Sequence, residues 1–367
     1  MRIATFNVEN LFERPSIMNL DDWKPGKQVL ADYARLNDLI NNASYSQTDK
    51  EEMLNTMARY KGLISNEESK YIRLRVIHGQ FVKRSKPPSI LANGRGDWIG
   101  WFELVTETVK ETATENTARV IHELRADVVC VVEAEDRIAL KHFNEIAMPK
   151  VDDKPFEHVM LVDGNDSRGI DVGILVRGPY TIKQIASHVD DKDSSGVIFS
   201  RDCAEYVITG ESGEQVLVLA NHLKSKGYGS KDSSDSKRRR QAERIRQIYE
   251  QRLKEGSKYI AIVGDFNDTP DSEALASLLT DGLVDVMAHP KFKGDGRPGT
   301  YGNGTKSGKF DYILMSPELA ARVVAGGIER RGVWGGKNGT LFPHFPEMQK
   351  PKDAASDHAA LWVEVSV

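Results

Sequence analysis

Polar side chains that can carry acid–base or metal chemistry stand at the ends of short apolar runs in this sequence. They are Asn7, Glu9, Glu133, His222, Asp265, Asn267, Asp311, Asp357 and His358. Five of the nine are carboxylates, and at ~4 Å in an effective dielectric of ~20 each like-charge pair costs about 4 kcal/mol. A hard divalent cation removes that cost. Because the donors are oxygens and no Cys–His cluster has zinc spacing, the sequence predicts Mg²⁺ or Mn²⁺ as the cofactor.

Eight apolar runs rich in Val and Ile predict the β-strands that position these residues. The runs are 2–6, 126–134, 169–178, 205–210, 215–222, 259–266, 309–316 and 360–367. Several of them are continuously apolar, which indicates strands buried on both faces of a sheet. Apolar residues at helical spacing predict helices over 103–125 and 236–254, and Asp271 as N-cap predicts a shorter helix over 271–279.

The segment from about 15 to 100 differs from the rest because it is mostly polar and helix-like. We predict a single domain over 1–367 that carries this segment as a mostly helical insertion, packed on the main domain. Asn7 and Glu133 lie 133 − 7 = 126 positions apart, far more than a strand–helix–strand connection needs. The insertion is therefore expected to lie beside the cleft and to help select the substrate.

The composition excludes several classes of protein. Of 367 residues, 40% are hydrophobic and 28% are charged, which provides a packed core and excludes global disorder. The net charge is 50 − 54 = −4. Two cysteines, Cys130 and Cys203, cannot form a disulfide framework and favour a reducing compartment. No apolar run reaches ~18 residues, and Asn7, Glu9 and Asn10 interrupt any signal peptide, so we expect no membrane span and a cytoplasmic location.

The sequence contains six motifs in the order found in the endonuclease/exonuclease/phosphatase superfamily. They are TFNVEN, VVEAED, NHLKSK, GDFND, FDYIL and SDHAAL. The chain resembles this superfamily over residues 1–14 and about 104–367. The superfamily includes pancreatic-type deoxyribonuclease, abasic-site endonucleases, sphingomyelinases and inositol polyphosphate phosphatases. The resemblance implies an α/β fold, a four-layer α/β/β/α sandwich with two mixed β-sheets, and a site at one end of the sheets.

The resemblance also implies which residues bind the metal. Glu133 is similar to the principal metal-binding carboxylate, and Asn7 is similar to a residue that orients it or reaches the metal. Glu9 occupies the place of a second acidic residue that some members use. Asp357 is similar to a further metal ligand.

For the chemical step, Asp265 resembles the residue that holds and activates the attacking water, and Asn267 the residue that steadies the phosphoryl oxygens. His358 resembles a histidine that contacts the scissile phosphate, with Asp311 as its orienting partner. His222 matches a second phosphate-side histidine, although it could also be a core histidine. Such a set suits phosphodiester hydrolysis, which depends on positioning and on neutralising charge on the phosphoryl oxygens.

Basic residues suggest where a substrate would bind. Arg168 could contact a phosphate or pair with Asp171, and Lys224 and Lys226 are expected to line the cleft. Residues 224–254 carry eleven Lys or Arg against four Asp or Glu, so 11 − 4 = +7. This stretch is either a basic face for a nucleic-acid backbone or the solvated side of a helix. Similarly, Trp98 and Trp101 could stack bases or pack the insertion.

Departures from two branches of the superfamily narrow the function. Val132 precedes Glu133 where abasic-site endonucleases have Gln, and KFDYIL replaces the CDRIL segment of inositol phosphatases. We predict a divalent-metal-dependent phosphodiesterase, a nuclease that hydrolyses DNA by metal-assisted in-line attack of water. The alternatives are a phosphoesterase acting on a small-molecule or lipid phosphoester and a non-catalytic nucleic-acid-binding module. No membrane or obligatory protein partner is expected.

Overall fold

The computed structural model describes residues 1–19, 23–166, 168–226, 231–280 and 282–367. These residues form two units. The first comprises Met1–Phe12, Val109–Lys226 and Lys231–Val367, and the second is built on Glu13–Thr108. Among the described helices, none has the length and apolar character that crossing a bilayer requires.

The described residues form the following strands and α-helices, numbered in chain order. The strands are β1 (Arg2–Asn7), β2 (Glu13–Pro15), β3 (Ile72–His78), β4 (Val82–Lys83), β5 (Ser89–Ile90), β6 (Ile99–Leu104), β7 (Thr106–Thr108), β8 (Val128–Ala134), β9 (His158–Val162), β10 (Asp171–Val176), β11 (Thr181–Ala186), β12 (Lys192–Asp193), β13 (Gly196–Val197), β14 (Cys203–Thr209), β15 (Gln215–His222), β16 (Tyr259–Asp265), β17 (Val284–Asp285), β18 (Phe292–Lys293), β19 (Asp311–Met315), β20 (Val323–Glu329) and β21 (Ala360–Val365). The α-helices are α1 (Trp23–Ile40), α2 (Gln47–Ala58), α3 (Leu63–Asn66), α4 (Glu111–Leu124), α5 (Arg137–Ile146), α6 (Lys231–Lys254) and α7 (Pro317–Ala320).

Two mixed sheets form the centre of the first unit. The seven-stranded sheet has the order β18-β20-β21-β1-β8-β10-β9, and the six-stranded sheet has the order β11-β14-β15-β16-β19-β17. Each sheet has a parallel pair near its middle, β1 with β8 and β15 with β16, flanked by antiparallel neighbours. All eight predicted apolar runs are strands of these two sheets.

The alternation of side chains along the strands produces the layers. In β8, Val128, Cys130 and Val132 face the core between the two sheets, whereas Val129 and Val131 face the core that includes residues of α4 and α5. A strand with both faces buried has to be apolar at every position, which accounts for the continuous run. On the far side of the six-stranded sheet, α6 packs its apolar residues against β14, β15 and β16. The predicted four-layer α/β/β/α sandwich is confirmed.

Two predicted helices begin at a different residue in the structure, and a third is replaced by a single 3₁₀ turn. The helix predicted from 103 begins only at Glu111, because 99–104 and 106–108 form strands. The helix predicted over 271–279 is wrong: a single 3₁₀ turn spans Glu273–Leu275, and its N-cap is Ser272. The helix predicted over 236–254 is confirmed and begins earlier, at Lys231.

The second unit has its own apolar core. Its first half is helical (α1 to α3), as predicted for the insertion, but its second half forms short antiparallel strand pairs, β3 with β6 and β4 with β5. Helical and strand residues share this core, including Leu36, Met53, Leu74 and Phe102. The prediction of a mostly helical segment therefore missed the strands, whose alternating pattern is short.

Arginine side chains attach α6 to the rest of the first unit. They pair with acidic residues on other elements: Arg238 with Asp268, Arg240 with Asp193, Arg244 with Asp191 and Arg252 with Glu205. Arg238 is fully buried. Several basic side chains within 224–254 are therefore neutralised by ion pairs with acidic residues of the same unit. The helix keeps an exposed side that includes Arg239, Glu243 and Gln247, so the solvated side of a helix and the nucleic-acid face both stay open as interpretations of that stretch.

The bonds of Glu205 with Arg252 and His188 contribute to the free energy of unfolding by an amount that can be measured. Burial disfavours its charge, but hydrogen bonds from Arg252 and His188 prevail and lower the pKa of Glu205 from 4.5 to about 2. A carboxylate with a lowered pKa stabilises the fold above its unfolded pKa, and that contribution is lost as the pH falls from about 4.5 towards about 2. Glu205→Gln should lower the free energy of unfolding at pH 7 by on the order of 3 kcal/mol.

Denaturant titrations of the wild type and Glu205→Gln at pH 7 and pH 3 measure this difference. The stability gap should narrow at pH 3, where the wild-type carboxylate loses much of its advantage. Glu211→Gln removes an exposed carboxylate from the loop after β14 and serves as the matched control. An equal difference in the free energy of unfolding between wild type and Glu205→Gln at both pH values would contradict the lowered pKa of Glu205. An equal loss of stability in Glu211→Gln would contradict it as well.

Candidate active site

The two sheets bring the predicted site residues to one end of the sandwich. Asn7 ends β1, and Glu133 lies near the end of the parallel strand β8. His222 and Asp265 end the parallel pair β15 and β16 and lie opposite each other, and Asp311 begins the antiparallel β19 opposite Asp265. Parallel strands end at the same edge where an antiparallel neighbour begins. The topology therefore gathers side chains that are far apart in the sequence.

Asp265 lies at the centre of this group. It accepts hydrogen bonds from the Asn7 Nδ2 (3.1 Å), the Asn267 backbone N–H (2.7 Å) and the Asn267 Nδ2 (3.2 Å). Burial raises the pKa of Asp265 to about 7, His358 opposes this shift, and the neighbouring carboxylates Asp311 and Glu133 add to it. A carboxylate with a pKa near neutrality is matched to the work of a general base.

Asp311 and His358 form a buried pair. The His358 Nδ1 lies 2.8 Å from the Asp311 Oδ2, which leaves the Nε2 facing Asp265 at 3.8 Å from its Oδ2. Burial opposes the charged imidazole, but the charges of Asp311 and Asp265 raise the pKa of His358 well above its ordinary value. These two carboxylates favour the protonated imidazole of His358. The predicted partnership of Asp311 with His358 has the geometry expected of it.

His222 lies on the other side of Asp265, beside Glu133. Its Nε2 is 3.5 Å from the Glu133 Oε1 and 3.8 Å from the Asp265 Oδ2. Burial and the charges of Arg201 and Arg168 lower the pKa of His222 well below its ordinary value. Within the described chain, neither ring nitrogen of this buried histidine has a hydrogen-bond partner. A core histidine satisfied by the protein would have one, so this environment favours a ligand-facing role.

The backbone around the site is strained. Seven described residues other than glycine have positive φ, and four of them are here: Glu9 (51°), Asn10 (67°), Glu133 (66°) and Asn267 (54°). Such conformations cost about 1–3 kcal/mol each and cluster at functional sites. At Glu133 and Asn267 this strain falls on two of the predicted functional side chains.

Glu9 and Asp357 form the more exposed part of the site. The Asp357 N–H donates to the Glu9 Oε2 at 3.2 Å, and the Glu9 N–H donates to the Asn7 Oδ1 at 3.0 Å. The Tyr301 ring packs 5.0 Å from the His358 ring, and the charge of Asp357 with burial raises the pKa of Tyr301. Sequence analysis missed Tyr301 because it lies in a glycine-rich loop, outside every apolar run.

The donor atoms fit a hard divalent cation. Asp265, Asp311 and His358 each bring a possible ligand atom within 4.8 Å of the others, although His358 and Asp311 are already bonded to each other. The Asp311 Oδ1 is buried and has no hydrogen-bond partner among the described residues. With Glu133 added, the set is rich in carboxylate oxygens, which Mg²⁺ and Mn²⁺ prefer. Asn7 is better placed to orient Asp265, since both ends of its amide are engaged.

Arg168 binds Asp166, which corrects the predicted alternative of a pair with Asp171. The Arg168 Nε and Nη2 lie 2.9 Å and 2.8 Å from the two Asp166 carboxylate oxygens. Arg201, which sequence analysis missed, brings its Nε within 3.0 Å of the same carboxylate and is 1% exposed. Its only sequence signal is a position just before strand β14. Two arginines on one carboxylate leave a net positive charge beside His222.

The two lysines after His222 have different environments. Burial and the charges of Arg201 and Arg168 lower the pKa of Lys224 to about 8. Lys224 therefore belongs to the same basic cluster. The Lys226 Nζ instead lies 2.5 Å from the Asp268 Oδ1, and its side chain is 48% exposed. Of the three predicted substrate-binding residues, the structure brings Arg168 and Lys224 together and ties Lys226 to Asp268.

Comparison with known proteins gives a family match and solved structures of similar fold. Residues 110–358 match the sequence profile of the Endonuclease/Exonuclease/phosphatase family. A search of curated proteins gave no significant match. The fold is similar to an endonuclease/exonuclease/phosphatase from Bacteroides vulgatus, with 15% identity, a TM-score of 0.50, and 70% of this chain and 91% of that chain covered. It is also similar to a protein of that family from Bacteroides thetaiotaomicron, with 16% identity, a TM-score of 0.51, and coverage of 69% and 86%.

Proposed function

This protein belongs to the endonuclease/exonuclease/phosphatase family, whose members are metal-dependent hydrolases of phosphoester bonds, and we propose that it is a divalent-metal-dependent phosphodiesterase with DNA as its substrate. The convergence of Asp265, the Asp311–His358 pair and Glu133 at one end of the sandwich carries the proposal. In this set a base, a protonated histidine and a metal-binding carboxylate surround one position.

We propose that Glu133, Glu9 and Asp357 hold the cation, which leaves Asp265 and the Asp311–His358 pair for the chemical step, and that Asn7 orients Asp265. Bound there, Mg²⁺ or Mn²⁺ would polarise a phosphoryl oxygen and stabilise the leaving oxygen. Glu133 has a positive φ of 66°, and its Oε1 lies 3.5 Å from the His222 Nε2.

Asp265 is proposed to accept the proton of the attacking water. Asn7 and Asn267 fix the orientation of its carboxylate through three hydrogen bonds, so little reorganisation is needed when the proton moves. The Asn267 amide lies within 3.2 Å of the Asp265 Oδ2 and is proposed to position the water or a phosphoryl oxygen beside it.

The two histidines are proposed to contact the phosphate from different sides and in different charge states. His358, kept protonated by Asp311, supplies a positive charge to the phosphoryl oxygens. His222, with its lowered pKa, is neutral and donates a hydrogen bond from one ring nitrogen. Neutralising the phosphoryl oxygens from both sides lowers the repulsion that an attacking oxygen meets.

A nucleic-acid substrate, of which DNA is the form we propose, is supported by the basic cluster beside His222. Arg168, Arg201 and Lys224 lie together around the single carboxylate of Asp166. A diester in a chain of phosphates presents a second anion near the reacting one. A small monoester does not, so the cluster favours a polyanionic substrate.

A substrate panel tests the function and the metal dependence together. Supercoiled plasmid, single-stranded DNA, RNA and bis(p-nitrophenyl) phosphate are incubated with Mg²⁺, with Mn²⁺ and with EDTA. We expect hydrolysis of DNA with either cation, none in EDTA, and recovery when the cation is restored in excess. Hydrolysis of the small ester alone would reject the nuclease. Binding of DNA without hydrolysis of any substrate would reject the enzyme.

A further inference from the structure

The hairpin-like pair of strands β3 and β6 has one face directed into its own unit and one face directed outward. Ile72, Leu74, Phe102 and Leu104 are buried in the core of the second unit. The alternate residues form an outer surface, which we name the Trp101 face: Arg73, Arg75, Ile99, Trp101 and Glu103, together with the exposed Ile77 at the register shift between Val76 and His78. Period-2 alternation therefore separates a structural face from a second face with its own composition.

The Trp101 face exposes large apolar side chains. Ile77 is 65% exposed, Ile99 is 54% exposed and Trp101 is 44% exposed. Trp98, three residues earlier, is 2% exposed and stacks on Phe81 at a centroid distance of 4.3 Å. The core of this unit is thus completed by Trp98 and does not use Trp101. A cluster of exposed apolar residues that the core does not need is typical of a binding surface.

Hydrogen bonds hold the exposed indole in place. The Trp101 Nε1 donates to the Glu103 Oε2 at 3.3 Å, and the Arg75 Nε donates to the Glu103 Oε1 at 2.8 Å. Arg75 also lies directly opposite Trp101 in the strand register. One carboxylate therefore fixes a flat aromatic ring beside a guanidinium group. The polar atom of the indole is engaged, so what remains for a ligand is its π-face.

The segment around this face is basic in a protein that is acidic overall. Residues 67–104 carry seven Lys or Arg and four Asp or Glu, so 7 − 4 = +3, against −4 for the whole chain. Glu67 and Glu68 pair with Arg84 and Arg73, whereas Lys83 and Lys86 are exposed. The charge complements a polyanion rather than a basic or a neutral apolar surface.

We propose that the Trp101 face binds single-stranded nucleic acid, with a base stacked on Trp101 and a phosphate beside Arg75, and that the exposed Lys83 and Lys86 of the same unit contact phosphates further along the strand. An exposed aromatic ring with adjacent cations is the combination that proteins use for unpaired strands. Duplex bases are already stacked on each other and leave no face for the indole. The biological meaning of this surface rests on the proposed nuclease function. The surface extends that function to the recognition of unpaired strands.

The test measures binding in EDTA, where hydrolysis does not interfere. Fluorescence anisotropy compares a labelled 16-nucleotide oligothymidylate with an abasic oligonucleotide of the same length, which keeps the phosphates and lacks the bases. The wild type should bind the first more tightly. Trp101→Ala should weaken oligothymidylate binding by about tenfold and abolish the preference over the abasic strand, while Trp101→Phe should retain most of both.

A double variant tests the cations. Lys83→Gln with Lys86→Gln should reduce the slope of log affinity against log salt by about 0.7 for each phosphate that the protein no longer neutralises. Lys27→Gln with Lys61→Gln removes two exposed lysines from the same unit and should leave the slope unchanged. Equal slopes for the two double variants would show that Lys83 and Lys86 do not contact the phosphates of the bound strand.

The outcomes separate this proposal from the proposed function. Equal oligothymidylate affinity for the wild type and Trp101→Ala overturns the binding surface, even if both hydrolyse bis(p-nitrophenyl) phosphate. Tighter binding of phosphatidylserine vesicles than of oligothymidylate, lost in Trp101→Ala, would assign the face to a membrane and also overturn it. Conversely, Trp101-dependent binding in a protein that hydrolyses nothing would leave the surface standing and reject the enzyme.

Discussion

Glu133→Gln should reduce kcat for phosphodiester hydrolysis by about a thousandfold or more, which corresponds to about 4 kcal/mol less transition-state stabilisation. The substitution keeps the size of the side chain and removes the charge that would hold the cation. It should also raise the concentration of Mg²⁺ needed for half-maximal activity. Initial rates at several Mg²⁺ concentrations measure both effects.

The choice of glutamine matters because Glu133 has a φ of 66°. A change that also altered the shape of the side chain could disturb the strained backbone and confuse a loss of folding with a loss of function. Asp136→Asn is the matched control. It removes a carboxylate charge three positions away, and asparagine can replace Asp136 as the N-cap of α5. Normal turnover in Glu133→Gln, or an equal loss in the control, would exclude Glu133 from the metal site.

His358→Ala should reduce kcat by about a hundredfold to ten-thousandfold, because it removes a protonated group proposed to contact the phosphate. The KM should change less than kcat if the contact strengthens in the transition state. Thermal unfolding should show a folded protein. His142→Ala, which removes an exposed histidine on α5, should leave both kinetic constants unchanged.

Asp311→Asn tests whether Asp311 acts on His358 through its charge or only by packing against it. It should leave His358 in place but remove the charge that raises its pKa, so that the imidazole loses its proton at a lower pH. Because the protonated form is proposed to be active, the decline of kcat at high pH should move to lower pH in this variant. An unchanged pH profile with reduced activity would indicate that Asp311 only packs against His358.

Side-chain identity and strand periodicity allowed much of the site to be predicted. Glu133 and Asp265 each close an apolar run, and a carboxylate at such a position has to find a partner. The pairing of Asp311 with His358 was implied by the family resemblance, and the structure has the Asp311 Oδ2 2.8 Å from the His358 Nδ1. Their catalytic and metal-binding roles stay predictions until the variants are measured. Tyr301 could not be found this way, because neither its loop nor its neighbours form a local pattern.

The sequence by itself determined eight strands of the two large sheets and the polar residues at their ends, because burial on one or both faces of a strand leaves a local pattern of apolar residues. Only the tertiary structure decided the partners of most of the other charged groups. Arg168 binds Asp166, and the arginines of α6 are paired inside the first unit. Ion pairs and hydrogen bonds act over a few ångströms between residues distant in the chain, so their partners depend on the assembled fold.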